Sequence, residues 1–176
     1  MSNTKWVLDP THSEVGFKVK HLMITNVSGS FSKFNAEAES SDDNFSDAHI
    51  RFTADIDSIN TNNEQRDGHL KSPDFFDAVN HPQLMIEANG LKGSGENRQV
   101  DGTLTLRGVT RPVHFNVDFG GVAKDPWGNT KAGFTLSGTI NRKDFGLTWN
   151  APTEAGGLLV SEDVKLHAEI QLVKQG

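Results

Sequence analysis

The sequence has no cysteine and no tyrosine among its 176 residues. Without cysteine, thiol catalysis, disulfides and thiolate metal sites are excluded, although compartment stays open because many exported proteins also lack it. Without tyrosine, the 11 phenylalanines supply an aromatic interior with no phenol that needs a hydrogen-bond partner. An excess of basic residues is missing too. A formal charge of −6 and a pI near 5.6 argue against a face that tracks phosphates, so no nucleic-acid partner is expected. No apolar run is long enough to cross a bilayer as a helix, and the first residues lack the basic start and apolar core of an export signal. The expectation is a cytoplasmic chain with no integral membrane segment, or a periplasmic one if a leader has been removed. Linker-like stretches are absent as well, so residues 1–176 read as one domain with one core.

What is present is period-two alternation. Val15, Phe17 and Val19 alternate with Gly16, Lys18 and Lys20, which places apolar side chains on one face of a strand and lysines on the other. A second strand is expected over residues 28–39, where Phe31 and Phe34 lie an odd number apart and demand a bulge or a change of face. Ile50, Phe52, Ala54 and Ile56 continue the pattern, followed by Leu84, Ile86 and Ala88, then Val100, Gly102, Leu104 and Leu106. Val113, Phe115, Val117 and Phe119 form the next strand, Ala132, Phe134, Leu136, Gly138 and Ile140 the one after. Val164, Leu166, Ala168, Ile170 and Leu172 form the last. Turn signals separate them, including Gly93-Ser94-Gly95, Gly108, the Asp125 to Asn129 segment and Gly156-Gly157.

One stretch departs from this pattern. Thr61 followed three residues later by Glu64 spells a capping box and predicts a helix of two to three turns ending near Lys71. Ser72-Pro73 then predicts a second short helical start through Phe75 and Phe76. His81 before Pro82 is pushed toward an extended conformation and returns the chain to strand. Leu70, Phe75 and Phe76 need burial, so this excursion reads as a lid on the end of a sheet structure. Eight long strands with one apolar face in up-and-down order avoid exposed edges by closing. The predicted fold is all-β, an eight-stranded antiparallel barrel with a helical lid inserted between strands. A β-sandwich is the rival.

Eight strands enclose room either for their own side chains or for one small ligand. Small residues recur on the apolar face at Ala54, Ala88, Gly102, Ala132, Gly138 and Ala168. They either leave space for a greasy guest or fit the taper of a packed interior. Chemistry is harder to find. None of the seven histidines (His12, His21, His49, His69, His81, His114, His167) forms a metal-binding pair, and His114 and His167 fall on outward positions. No metal and no required cofactor are expected. Arg142 keeps the phase of Phe134, Leu136 and Ile140, and His21 that of Phe17 and Val19, so both should point inward at a barrel end. A buried arginine must be paired. Asp144 or Asp67 would make it a structural ion pair that fixes the lid; a polar ligand head would make it a rim group.

Several blocks in sequence order carry a family resemblance over nearly the whole chain. They are Trp6-Val7-Leu8-Asp9-Pro10-Thr11-His12-Ser13, Val15-Gly16-Phe17 with Lys20-His21, Arg66-Asp67-Gly68-His69-Leu70, Ser72-Pro73-Asp74-Phe75-Phe76, the Leu104 to Val113 segment and Arg142-Lys143-Asp144-Phe145-Gly146. The chain resembles the YceI-like family. The resemblance implies a lipocalin-like barrel with an apolar tunnel for an amphiphilic lipid of polyisoprenoid or quinone type, and often a homodimer. Many such proteins are periplasmic and carry a secretion signal, which this sequence does not show. The implied tunnel wall comprises Val15, Phe17, Val19, Phe31, Phe52, Ala54, Ile56, Leu70, Phe75, Phe76, Ile86, Ala88, Leu104, Phe115, Val117, Phe134, Leu136, Leu166, Ala168 and Ile170. Polar groups expected at its mouth are His12, His21, Arg66, His69 and Arg142. The implied activity is binding, storage or transport of the lipid rather than catalysis. The alternative is an enzyme acting on an apolar substrate with His12 or His69 as general base.

Overall fold

The computed structural model of the chain describes residues 3–22, 24–150 and 160–175. In chain order the strands are β1 (Thr4–Leu8), β2 (Glu14–His21), β3 (Thr25–Phe31), β4 (Phe34–Ser40), β5 (His49–Asp55) and β6 (Ile59–Asn60). Helix α1 (Glu64–Lys71) comes next, then β7 (Gln83–Asn89), β8 (Lys92–Gly93), β9 (Asn97–Leu106), β10 (Val109–Lys124), β11 (Thr130–Asn141) and β12 (Val160–Lys174). The expected Gly156-Gly157 turn lies outside the described residues.

Three of the barrel's eight staves are broken strands. β1 and β2 both pair with β12, at Leu172–Lys174 and at Val160–Glu169, so they form one stave interrupted by a 3-10 turn at Pro10–His12. Likewise β4 pairs with β1 and β3 with β2, and the Phe31/Phe34 phase change marks the break between them. β5 and β6 form the third such stave, split by a 3-10 turn at Ile56–Ser58. Each stave is antiparallel to its neighbours in sequence, and the β1–β12 pairing closes the ring. The result is a closed eight-stranded antiparallel barrel, as the alternation predicts.

Turn chemistry places the ends. Arg107 and Gly108, with φ of 51° and 74°, close the two-residue β9–β10 hairpin, as the right-handed strand twist favours. The helical excursion is shorter than expected. α1 is capped by Asn63, whose side chain accepts from the Arg66 N–H, and not by Thr61. Thr61 is instead buried and donates through its N–H and hydroxyl to Asp67. Residues after Ser72 form turns rather than a second helix, and they carry Phe75 into the core at 5% exposure. α1 itself buries no residue. Leu70 is its one apolar side chain and is only half-buried, so the turns after Ser72, which bury Phe75, are the main anchor of the lid.

A candidate ligand cavity

The inward side chains of the staves line a continuous cavity of about 220 Å³, far above the roughly 10–15 Å³ that one water needs. Its wall reaches along β12 from Val160 to Leu172, which at about 3.3 Å per residue and a strand tilt near 40° amounts to roughly 30 Å along the barrel axis. Phe17, Phe52, Leu136, Leu166, Ala168 and Ile170 line the cavity yet are only half-buried.

The two ends differ. Near the chain termini Phe45, at 1% exposure and with φ of 62°, fills the barrel. Its ring lies 5.0 Å from Trp6, 5.1 Å from Phe134 and 5.7 Å from Phe119, an aromatic plug whose packing holds a phenylalanine in a left-handed conformation. The end beneath α1 has no such plug among the described residues. There the wall is made by half-buried Val19, Leu70, Phe76, Val160 and Val164, with Phe75, Leu147 and Arg142.

Of the residues assigned to the wall from sequence, all but Ala54 and Ile56 line this cavity. Those two are fully buried in a cluster with Leu84, Phe75 and Phe145, behind the wall rather than on it. The small residues divide in the same way. Ala88 and Ala168 face the cavity, while Ala132 is sealed into the core. Gly102 and Gly138 are small because neighbours fill their space. A Cβ at Gly138 would meet Phe115 at 2.7 Å and the His114 carbonyl at 2.9 Å, and one at Gly102 would strike the Glu87 carbonyl oxygen. Wall residues not singled out from sequence include Phe45, Ala36 and Ala38. The alanines alternate with Asn35, Glu37 and Glu39 and were legible; Phe45 is a lone aromatic in an Asp- and Ser-rich turn with no periodic signal.

The five polar positions do not gather at one mouth. Arg142 alone lines the cavity. It is 3% exposed and finds neither Asp144 nor Asp67; it donates to backbone carbonyls instead. Nε reaches Ser161 at 2.8 Å, Nη1 reaches Leu147 at 2.6 Å and Trp149 at 2.8 Å, and Nη2 reaches Val160 at 3.3 Å. Burial pushes the guanidinium pKa down from its usual value, and the Glu162 carboxylate opposes this from a distance. The ion-pair expectation fails because the inward phase of Arg142 faces the turn that comes after it, where carbonyls point in and carboxylates do not. His21 sits opposite Val160 at the same barrel end but off the cavity wall. Arg66 is turned back to Thr61, giving Nε to its hydroxyl at 2.8 Å and Nη2 to its carbonyl at 2.6 Å.

The two histidines proposed as bases each pair with a carboxylate. His69 Nε2 lies 2.9 Å from Asp74, with its ring edge-on to Phe75 and Trp149. His12 Nδ1 lies 2.8 Å from Asp9, in the turn that breaks the first stave. Neither lines the cavity, so neither is placed to take a proton from a guest inside it. His12 belongs to an outer-wall knot in which Lys131 Nζ meets Asp9 at 2.7 Å and Thr11 donates to it twice; these partners hold the Asp9 carboxyl far below the usual carboxylate range. Among the described residues no cluster of His, Asp or Glu has the makings of a metal site.

A family model described as YceI-like domain matches residues 6–172. A UPF0312 protein of Staphylococcus aureus (strain N315) is 39% identical over 169 residues, 96% of each chain. The crystal structure of a Campylobacter jejuni YCEI protein superposes with a TM-score of 0.75 at 35% identity, covering 96% of this chain and 97% of that one. A polyisoprenoid binding domain from Saccharophagus degradans shares the fold, with a TM-score of 0.69 at 16% identity over 97% of this chain and 98% of that one.

Proposed function

Since the chain belongs to the YceI-like family, we propose that it binds an amphiphilic lipid, with an isoprenoid-type tail in the barrel and a polar head beside Arg142. The observation that carries this reading is the hollow wall: apolar side chains that point inward and remain uncovered by their own chain. Burying a tail there removes apolar surface from water on both partners, worth roughly 25 cal/mol per Å² before the costs of association. The polyisoprenoid-binding neighbour supports the choice of tail.

Arg142 supports the choice of head. A guanidinium has five N–H donors, and its four backbone bonds leave one Nη2 hydrogen uncommitted among the described residues. It also faces no carboxylate within ion-pair distance among them. A diphosphate, carboxylate or quinone oxygen would meet both conditions. Binding, storage or transport fits this geometry better than catalysis, because the two carboxylate-paired histidines stand off the cavity.

Native mass spectrometry of the purified protein, with organic extraction afterwards, tests the reading. A co-purifying long-chain lipid is the expected result; a protein that carries none and takes up no isoprenoid alcohol from solution would overturn it. Arg142→Ala is expected to weaken binding of a polyprenyl phosphate or a quinone more than that of the matching hydrocarbon. Equal loss for all would leave Arg142 only its structural bonds.

A further inference from the structure

We infer that the β2–β3 hairpin is a membrane-docking element that seats the α1 end of the barrel on an anionic lipid surface. This rests on the lipid-binding reading for its purpose but on separate residues for its geometry. The hairpin turns at the same barrel end as α1 and Arg142. Ile24 is 77% exposed and Leu22 40% exposed at its tip, held by the Ile24 N–H donating to the His21 carbonyl at 3.2 Å. Leu22 has φ of 54°, a left-handed conformation that disfavours a leucine and that Gly or Asn would adopt more cheaply. An apolar side chain is thus kept exposed at a strained position where a smaller polar residue would serve the turn better. The inference runs from that outlier to a use for it.

Charge singles out this tip from the other exposed apolar residues. Trp127 and Val122 lie at the opposite end, and Val79 sits beside the acidic residues Asp74 and Asp77. The hairpin, by contrast, lies in a run with no Asp or Glu from Val15 to Ala36, in a chain whose net charge is −6, and of the two carboxylates that the β12 bulge places beside it, Glu162 is taken by Lys143 at 2.9 Å, which leaves Asp163. Lys18 and Lys20 project from the outer face of β2 within about 7–13 Å of the tip. Neither has an ion-pair partner among the described residues, and Lys18 stands directly across from Lys165 on β12. Like charges placed opposite each other across strands repel, and an anionic surface relieves that repulsion. Apolar residues at a tip with lysines just behind them match a bilayer interface, where side chains enter the headgroup layer and ammonium groups meet phosphates.

Sedimentation of the full chain with vesicles of phosphatidylglycerol and phosphatidylcholine, against phosphatidylcholine alone, tests the docking. The expected result is preferential, salt-sensitive binding to the phosphatidylglycerol vesicles. Leu22→Ser with Ile24→Asp should lower the partition coefficient about tenfold or more, with unchanged melting temperature. Lys18→Gln with Lys20→Gln should remove the preference for phosphatidylglycerol. Uptake of a fluorescent isoprenoid alcohol is measured in parallel, delivered once from vesicles and once from solution. The tip variant should slow uptake from vesicles and leave uptake from solution intact. A wild type that takes up the alcohol from solution but binds both vesicle types equally, or neither, overturns the docking and spares the ligand reading. A wild type that docks but takes up no alcohol from either source supports the docking and overturns the ligand reading.

Discussion

Filling the cavity from its own wall measures whether the barrel is hollow. Ala168 lies between Leu136 and Val15 on neighbouring staves and faces the cavity. In Ala168→Phe the new ring would enter open space, and the gain from burying it, about 1.5–3 kcal/mol at most, offsets its lost rotamers and small adjustments of the wall. The expected change in unfolding free energy is therefore within about 1 kcal/mol of zero, or roughly 2–4 °C in melting temperature for a chain of this size. Ala54→Phe is the control. Ala54 is 1% exposed, pairs with Phe34 and Leu84 and has no cavity in front of it. Overpacking there should cost about 1–3 kcal/mol. Urea midpoints read both, and uptake of an isoprenoid alcohol should fall in Ala168→Phe while its stability holds. Equal destabilisation of the two variants would refute the reasoning, because it would mean that the space in front of Ala168 is already occupied.

Other expectations concern the same wall and the knot outside it. Gly138→Ala should destabilise by about 1–3 kcal/mol because its Cβ would press on Phe115 and the His114 carbonyl, whereas Gly133→Ala, with nothing within 4 Å, should stabilise by about 0.4–1 kcal/mol; denaturant titration distinguishes them. Lys131→Met should cost about 1.5–3 kcal/mol at pH 7 by removing the cation from the mostly buried Asp9 carboxylate. Because folding depresses the Asp9 pKa, that stabilisation is complete above the unfolded carboxylate value near 3.9 and is lost as pH falls through the folded value. The gap in melting temperature between wild type and variant should thus be present at neutral pH and narrow progressively as pH falls below about 4.

The barrel was legible because a half-buried strand writes its burial into every second residue. Val15, Phe17 and Val19 or Phe134, Leu136 and Ile140 need no tertiary information to be assigned to one face. Phase also located the break between β3 and β4 from the odd spacing of Phe31 and Phe34. What phase does not carry is depth. Ala54 and Ala168 have the same alternation, yet one faces the core cluster under the lid and the other faces open space. Nor does it carry partners: the phase of Arg142 gives its side, but its carbonyl partners depend on the path of the turn after it. Thr61 and Asn63 both suit a helix start, and the Thr61–Asp67 bonds decide between them. His12 shares a sequence block with residues of the barrel wall but lies outside because the 3-10 turn at Pro10–His12 swings it off the stave.

On the proposed reading, the ends of the barrel would give an amphiphile a direction. Each end holds a buried arginine with carbonyl partners: Arg98 donates to Gly95 at 2.9 Å and Asn44 at 2.8 Å, and Arg142 to the turn beneath α1. Arg98 lies 5.1 Å from the Phe119 ring, which packs on Phe134 and Phe45, and it does not line the cavity. Arg142 does. A buried cation is costly unless its field is met by dipoles or charge. At the plugged end the aromatic rings stand between cation and guest, so only Arg142 can gain from a polar head. The head should then lie toward α1 and the tail should end against Phe45. Two substitutions separate these roles: Phe45→Ala is expected to admit longer tails without changing head preference, and Arg142→Gln to change head preference without changing the longest tail bound. Affinity series over tail length and head group read both, and a variant that moved the two together would mean that the ligand has no fixed polarity in the barrel.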